Sequence, residues 1–295
     1  MSDNLRGVIL MNIAMLAFTL NDTCMKLVTQ SLPLYQAITL RGGLTTAALL
    51  LVAAGQGMRL AGLGRGDWQV IGLRTAAEVA ATVTFLTALL HMPLANLSAI
   101  MQSLPLLVTL GAALVFGERL GWRRLVAIAL GLLGVLLIIR PGTAGFDRWS
   151  VLGLMSVAAV VLRDLSTRKL SRAVPSTLVA ICASLAVTGL GVTGLAFEGW
   201  QPMGWAEAAL ILGASLNLII GYLTVVMVMR VGDIGLVAPF RYMALLWAIA
   251  LGWALFGTFP DRLTLIGAAI VVLAGLFTLL RERALQAPRR AGDSG

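Results

Sequence analysis

The sequence predicts an all-α membrane protein of ten transmembrane helices arranged as two inverted five-helix repeats. Three observations lead there. The 295 residues are 59% hydrophobic and only 12% charged, against about 25% charged in an ordinary soluble domain. Ten apolar runs of spanning length follow one another along the chain, with turn residues between them. Finally, the stretch 92–117, MPLANLSAIMQSLPLLVTLGAALVFG, has an echo at 232–257, GDIGLVAPFRYMALLWAIALGWALFG. Each copy starts at a short turn, runs apolar with one internal proline, and stops at Phe-Gly. At a shift of 140 only Leu106/Leu246, Phe116/Phe256 and Gly117/Gly257 are identical, so the shared layout is the signal.

The apolar runs fall at 7–27, 33–54, 68–90, 93–116, 123–140, 149–169, 176–197, 205–229, 234–256 and 262–280. Each is near the roughly 20 residues a bilayer crossing needs. Pro33, Pro93, Pro141-Gly142, Pro175, Pro202 and Pro260 lie at helix starts or in loops, where a missing N–H does least harm. Only Pro105 and Pro239 fall inside spans, one in each half, and they are the candidate helix hinges. One basic residue, Arg6, precedes a long apolar run without a clear small-residue cleavage site. That start reads as a retained first span rather than a signal peptide.

Basic residues orient the spans. With the N-terminus inside, the cytoplasmic segments hold Arg6, Arg59, Arg65, Arg119, Arg123, Arg124, Arg168, Lys169, Arg172, Arg230, Arg281, Arg283, Arg289 and Arg290; the external ones hold Arg140, Arg148 and Arg262. Fourteen against three is a strong positive-inside bias. It accounts for the net charge of +9 without nucleic acid as a partner. Trp68, Trp122, Trp149, Trp200 and Trp205 sit at span ends, as an aromatic belt places them. The expectation is a multi-pass protein of a bacterial-type cytoplasmic (inner) membrane with both termini cytoplasmic. Its repeats cover 1–145 and 146–281, and 282–295 is a cytoplasmic tail expected to be disordered.

A period of about 140 residues contains five spans. Five is odd, so the second copy enters the membrane upside down. Asp22 and Lys26 in the first span then correspond to Asp164 and Arg168 in the sixth, at a shift of 142. Inverted repeats of this kind build secondary transporters with a substrate site near the midplane.

The charges within the spans are Lys26, Arg41, Arg74, Arg163 and Arg241, with Asp22, Glu78 and Asp164. Each costs about 2.5–3.5 kcal/mol at the bilayer centre on insertion scales, so each faces a cavity or a partner. Arg74 and Glu78 are four apart and share a helix face. Glu78 is about 15 Å into its span at 1.5 Å per residue, which makes it a candidate for a substrate ammonium or a proton. The alternative is a neutralised pair that ties helices together, with Arg74 snorkelling to the interface. Asp22 and Lys26 form the same spacing near the outer end of the first span, a gating or structural ion pair. Arg163 and Asp164 are adjacent and point apart; Asp164 is a candidate gate partner for Arg74 or Arg241. Arg41, about 12 Å into the second span, has no acidic residue in its own span and needs a partner elsewhere or water.

Ser98, Gln102, Pro105 and Thr109 follow helical spacing as one polar stripe, and Pro105 frees a backbone carbonyl beside it. A substrate-lined wall and interhelical hydrogen bonding both fit that stripe. In the repeat, Tyr242 stands opposite Gln102, beside Arg241 and near Pro239. Asn217 and Tyr222 supply polar groups in the eighth span. Trp247 is read as a cavity aromatic or as packed. The fifth and tenth spans are nearly all apolar, with Gly131, Gly134, Gly267 and Gly275. Such small residues suit scaffold packing or a homodimer contact.

These features together resemble the EamA family of the drug/metabolite transporter superfamily. The residues that carry the resemblance are Asn21-Asp22 with Lys26, Arg41, Phe116-Gly117-Glu118-Arg119 and Pro239-Phe240-Arg241-Tyr242, over roughly 7–281. The chain departs from the family at Gly257-Thr258, where members often carry Gly-Glu. The resemblance implies a basket-like bundle around a central cavity that carries amino acids, other metabolites or drug-like cations. Bacterial members are frequently exporters, and others import.

The leading expectation is therefore a secondary transporter of small metabolites, an amino-acid exporter working by alternating access, with protons as a candidate coupling ion. Glu78, Ser98, Gln102, Asn217, Tyr222, Arg241 and Tyr242 form the expected substrate site. A zwitterion suits it, because the two ends of such a molecule need opposite charges. Lipophilic-cation efflux, or uptake of another metabolite, is the alternative. No Walker A sequence occurs. Cys24, Cys182 and the lone His91 have no metal-ligand spacing, and no nucleophile–base pair is evident. No cofactor, metal or catalytic residue is expected, which argues against an intramembrane enzyme.

Overall fold

The computed structural model describes residues 3–55, 63–118, 120–143, 146–171, 173–231 and 237–292, with residues 4, 229–231 and 282–292 described by backbone alone. The helices are α1 (Asp3–Val28), α2 (Leu34–Gly55), α3 (Arg65–His91), α4 (Leu94–Met101), α5 (Leu104–Phe116), α6 (Trp122–Ile139), α7 (Trp149–Arg168), α8 (Ser176–Glu198) and α9 (Trp205–Val231). A 3-10 segment, Ala238–Tyr242, then leads into α10 (Met243–Phe256), and α11 (Arg262–Gly292) follows. Ten helical segments are long and apolar enough to cross a membrane, one for each predicted run. No strand occurs among the described residues. α11 continues to Gly292, through most of the 282–295 tail that the sequence reading expects to be disordered. Arg59, Arg119, Arg172 and residues 232–236, which open the echo, lie outside the described residues.

Both interrupted spans break next to their prolines. In the fourth span the chain leaves α-helical geometry at Gln102 and Ser103, and Pro105 enters the first turn of α5, where its missing N–H costs nothing. The Ser103 hydroxyl donates to the Ile100 carbonyl at 2.7 Å and closes the break. In the ninth span Pro239 lies in the first turn of the 3-10 segment that precedes α10. The Phe-Gly ends match in conformation as well as sequence. Gly117 (φ 67°) and Gly257 (φ 63°) both take the left-handed backbone that glycine adopts without strain. After Gly257, the Thr258 hydroxyl donates to the Gly252 carbonyl at 3.2 Å.

The chain separates into two compact units that interleave along the sequence: residues 1–19, 92–151 and 220–295 form one, residues 20–91 and 152–219 the other. Neither coincides with a sequence half. In the second of these units α2 packs along α8, and in the first α6 packs along α11 and α4 along α10. In span order these pairs are the second with the seventh, the fifth with the tenth and the fourth with the ninth. These three pairs are each five spans apart, whereas α3, which also packs on α8, lies four spans from it.

Lipid is as apolar as leucine, so close backbone approach and polar contacts hold membrane helices together. The α2–α8 seam uses both. Thr46 bonds Ser184 at 2.7 Å, and the Thr188 hydroxyl lies where a Gly42 side chain would stand. At one end, buried Gln36 donates to the Gln201 carbonyl and accepts from its N–H, each at 2.9 Å. The α6–α11 seam is built on glycine. A Cβ at Gly134 would lie 2.7 Å from the Gly267 carbonyl, and one at Gly267 would lie 2.5 Å from the Gly134 carbonyl. Gly131 makes room for Leu106 and Ala274, and Gly275 for the Tyr242 ring. All four glycines serve contacts inside the chain.

Candidate functional site

Most of the intramembrane charge gathers in the unit formed by residues 20–91 and 152–219. α3 presents Arg74 and Glu78 on one face, one helical turn apart. α7 presents Arg163, Asp164 and Thr167. Glu78 Oε2 lies 3.7 Å from Arg74 Nη2, and Glu78 Oε1 lies 3.4 Å from Arg163 Nη1. Arg163 is held more tightly by its neighbour, with Nη2 2.8 Å from Asp164 Oδ1 and Nε donating to the same oxygen at 2.9 Å. Arg74 Nε donates to the Thr167 hydroxyl at 3.1 Å, and that hydroxyl donates to the Arg163 carbonyl at 2.8 Å. Two arginines and two carboxylates thus form a neutral, partly buried cluster.

The strengths within the cluster are unequal. Hydrogen bonds from N–H to oxygen run to about 3.2 Å, so the Arg163–Asp164 contacts are full bonds and those to Glu78 are looser. Arg74 Nη1 is buried with no hydrogen-bond partner among the described residues. An unsatisfied buried donor costs about 1–3 kcal/mol. The cluster therefore offers a carboxylate with spare acceptor capacity and, on the next turn of the same helix, a guanidinium N–H without an acceptor among the described residues.

Two sequence expectations change here. Arg163 and Asp164 were expected to point apart, yet the long Arg163 side chain folds back and its guanidinium meets the adjacent carboxylate. Asp164 is accordingly paired with Arg163 instead of Arg74. Arg74 is held by Glu78 and Thr167.

A second charged group lies on α1 and α2 of the same unit. The Asn21 amide donates to Asp22 Oδ1 at 2.9 Å, and Asn21 Oδ1 accepts from Arg41 Nη1 at 3.3 Å. Asn21 and Arg41 are both buried, so Arg41 finds a partner on the preceding helix. Lys26 Nζ donates to the Leu89 carbonyl in the last turn of α3, where the helix dipole favours a cation. Asn217 turns back on its own helix, donating to the Gly213 carbonyl at 2.9 Å.

The other unit, residues 1–19, 92–151 and 220–295, holds the remaining candidates. Tyr242 is 6% exposed, and its hydroxyl lies against Gly275 of α11 with no partner among the described residues. Arg241 beside it is exposed and makes no ion pair among the described residues. Tyr222 packs edge-on to Phe18, with ring centroids 5.6 Å apart. Trp247 packs on the cluster of Met11, Ala14, Met15, Val228 and Val237. On the polar stripe, Gln102 is buried and Ser98 half-buried, while the Thr109 hydroxyl donates to the Pro105 carbonyl at 2.8 Å.

Sequence reasoning gave Arg163 and Asn21 no site role, although both contact the charged candidates. Asn21 precedes a buried carboxylate, and Arg163 is one of few intramembrane cations. Those signals were present but did not reveal direction.

Residues 5–140 match the EamA-like transporter family. The match covers the first half of the chain, which resembles an EamA-like transporter domain. Asp22, Arg41, Arg74 and Glu78 all lie within the matched residues, whereas Arg163 and Asp164 come from the second half. The pseudopaline exporter CntI of Pseudomonas aeruginosa (strain UCBPP-PA14) is 25% identical over 278 residues, covering 91% of this chain and 94% of the relative. An S-adenosylmethionine uptake transporter of Rickettsia felis is 26% identical over 194 residues, 65% of each chain. A riboflavin transporter of Vibrio cholerae is 28% identical over 180 residues, 61% of this chain and 60% of the relative. One crystal structure, 22% identical, shares the fold with a TM-score of 0.64 over 95% of this chain and 99% of that one.

Proposed function

We propose that this protein is a secondary transporter of small metabolites that exports amino acids by alternating access. The observation that carries the reading is the pairing of a loosely held Glu78 carboxylate with Arg74 Nη1 on the adjacent turn, which has no hydrogen-bond partner among the described residues. A zwitterion satisfies both groups, its ammonium on Glu78 and its carboxylate on Arg74. A bound substrate carboxylate supplies an acceptor for that donor. The similarity to CntI over most of both chains supports export, and the basic-residue bias supports cytoplasmic termini in an inner membrane. The interleaved helix pairs five spans apart support an inverted repeat, the architecture on which alternating access runs.

The test is counterflow in proteoliposomes with labelled amino acids and one lipophilic cation, comparing wild type with Glu78→Gln and Arg74→Gln. Amino-acid exchange lost in both variants supports the zwitterion reading. Uptake is the second reading, favoured by the similarity to S-adenosylmethionine uptake transporters; everted vesicles distinguish it by the direction of net flux. Cation exchange that survives Arg74→Gln and Arg241→Ala but fails in Glu78→Gln would replace the zwitterion reading with cation efflux.

A further inference from the structure

At one end of the α6–α11 seam, a cavity of about 350 Å³ is lined by Gly121, Trp122, Arg123, Arg124 and Arg281. This is at the small end of small-molecule sites, about 300–1,000 Å³, and large enough for a phosphoglycerol headgroup. Arg123 and Arg124 of α6 and Arg281 of α11 are among the residues that line it, and no acidic residue does among the described residues. Arg123 lies over the Trp122 ring, 5.4 Å from its centroid. Guanidinium forks match phosphate oxygens in geometry and charge.

The surroundings point to the source of the phosphate. Trp122 opens its apolar span and the apolar run of α11 gives way to charged residues at Arg281, the pattern of a membrane boundary. Trp122 is 71% exposed, as a tryptophan at the headgroup level is. Directly inward of it, Leu125 and Val126 on α6 and Phe277 and Leu280 on α11 are also exposed, giving acyl chains an apolar track. A soluble phosphate would use the arginines and have no use for the track.

We infer that the Trp122–Arg123–Arg124–Arg281 cavity is a binding site for the headgroup of an anionic phospholipid, separate from the transport site. The lipid phosphodiester accepts hydrogen bonds from Arg123 and Arg281, and its chains lie along the exposed faces of α6 and α11. Bound there, it bridges the ends of the two helices of the glycine seam.

The test is native mass spectrometry of the full chain in detergent, with equal amounts of phosphatidylglycerol and phosphatidylcholine. Wild type should retain phosphatidylglycerol preferentially, and Arg123→Gln/Arg281→Gln should reduce that preference by roughly tenfold or more, two arginines near an anionic lipid surface being lost. A control variant, Arg65→Gln/Lys169→Gln, should keep it. Circular dichroism and size-exclusion profiles matching wild type establish that the variants are folded. The inference is overturned if wild type retains both lipids equally, or if the control loses the preference as fully as the cavity variant. It is also overturned if inorganic phosphate displaces the lipid at stoichiometric concentration, which would make the cavity a soluble-phosphate site.

Discussion

The Glu78 carboxylate lies 3.4 Å from the Arg163 guanidinium across the α3–α7 contact and 3.7 Å from that of Arg74 on its own helix. One carboxylate thus answers two cations, while Asp164 takes the closer bonds of Arg163. Removing Glu78 leaves Arg74 without its ion-pair partner. Breaking a fully buried pair costs about 3–5 kcal/mol; these side chains retain some exposure, so Glu78→Gln should cost about 1–2 kcal/mol after screening. The Glu78→Gln/Arg163→Gln double variant should be more stable than the sum of the single losses, by about 0.5–3 kcal/mol as coupled neighbours are. Thermal unfolding in detergent checks this, and strictly additive losses would show that the pair does not couple.

Exchange itself should respond more steeply than stability. A charge-assisted hydrogen bond contributes about 1.5–3 kcal/mol, so Glu78→Gln should reduce amino-acid counterflow by about tenfold or more. Asn21→Ala should also slow exchange, because Asn21 joins Asp22 to Arg41. If Asp22 exchanges the coupling proton, the rate of wild type should vary across about pH 5.5–8 and Asp22→Asn should flatten the profile. A flat wild-type profile counts against proton coupling.

The α6–α11 seam should be intolerant of side chains. Gly267→Ala places a Cβ 2.5 Å from the Gly134 carbonyl, and backbone cannot yield as a side-chain tip can. Overpacking costs about 1–3 kcal/mol, visible as a lowered Tm with unchanged oligomeric state. A variant of wild-type stability but altered mass on light scattering would move these glycines to an intermolecular contact.

Tyr242 separates a packing role from a substrate role. Its hydroxyl is buried against Gly275 without a partner among the described residues, so Tyr242→Phe should be neutral or stabilising by about 1 kcal/mol and leave exchange intact. Gly275→Ala should destabilise, and Tyr242→Phe should restore part of that loss. Exchange lost in Tyr242→Phe with stability retained would place the hydroxyl on the substrate instead.

Asp261 caps α11. Its Oδ1 accepts from the Thr264 N–H at 2.8 Å and from Arg140, and these bonds, that from Arg140 foremost, hold its carboxyl down at about 2. A depressed carboxyl contributes stability that is fully present above its ordinary value, 3.8, and is lost as pH falls toward about 2. Asp261→Ala should cost about 1 kcal/mol at neutral pH. Asp261→Asn keeps the cap acceptor and should lose less, since the half-exposed ion pair is worth little. Wild type and Asp261→Asn should converge in Tm as the pH drops through that window.

Arg140 illustrates what a local pattern leaves open. Its basic side chain marks a loop next to Pro141-Gly142, which the sequence shows. Its left-handed backbone (φ 54°) and its bond to a residue over a hundred positions later depend on where α11 begins in space.

The sequence by itself determined the ten spans, the two broken ones, and the identities of the buried charges. Hydropathy over about 20 residues and proline placement are local properties, and an intramembrane charge is conspicuous wherever its helix rotates. Only the tertiary structure decided the partners: Arg163 for Glu78 and Asp164, Asn21 between Asp22 and Arg41, the Leu89 carbonyl for Lys26. A helix face fixes which residues of one helix stand together, but the rotation of each helix and the reach of each long side chain arise from packing between distant segments. Those no single span encodes.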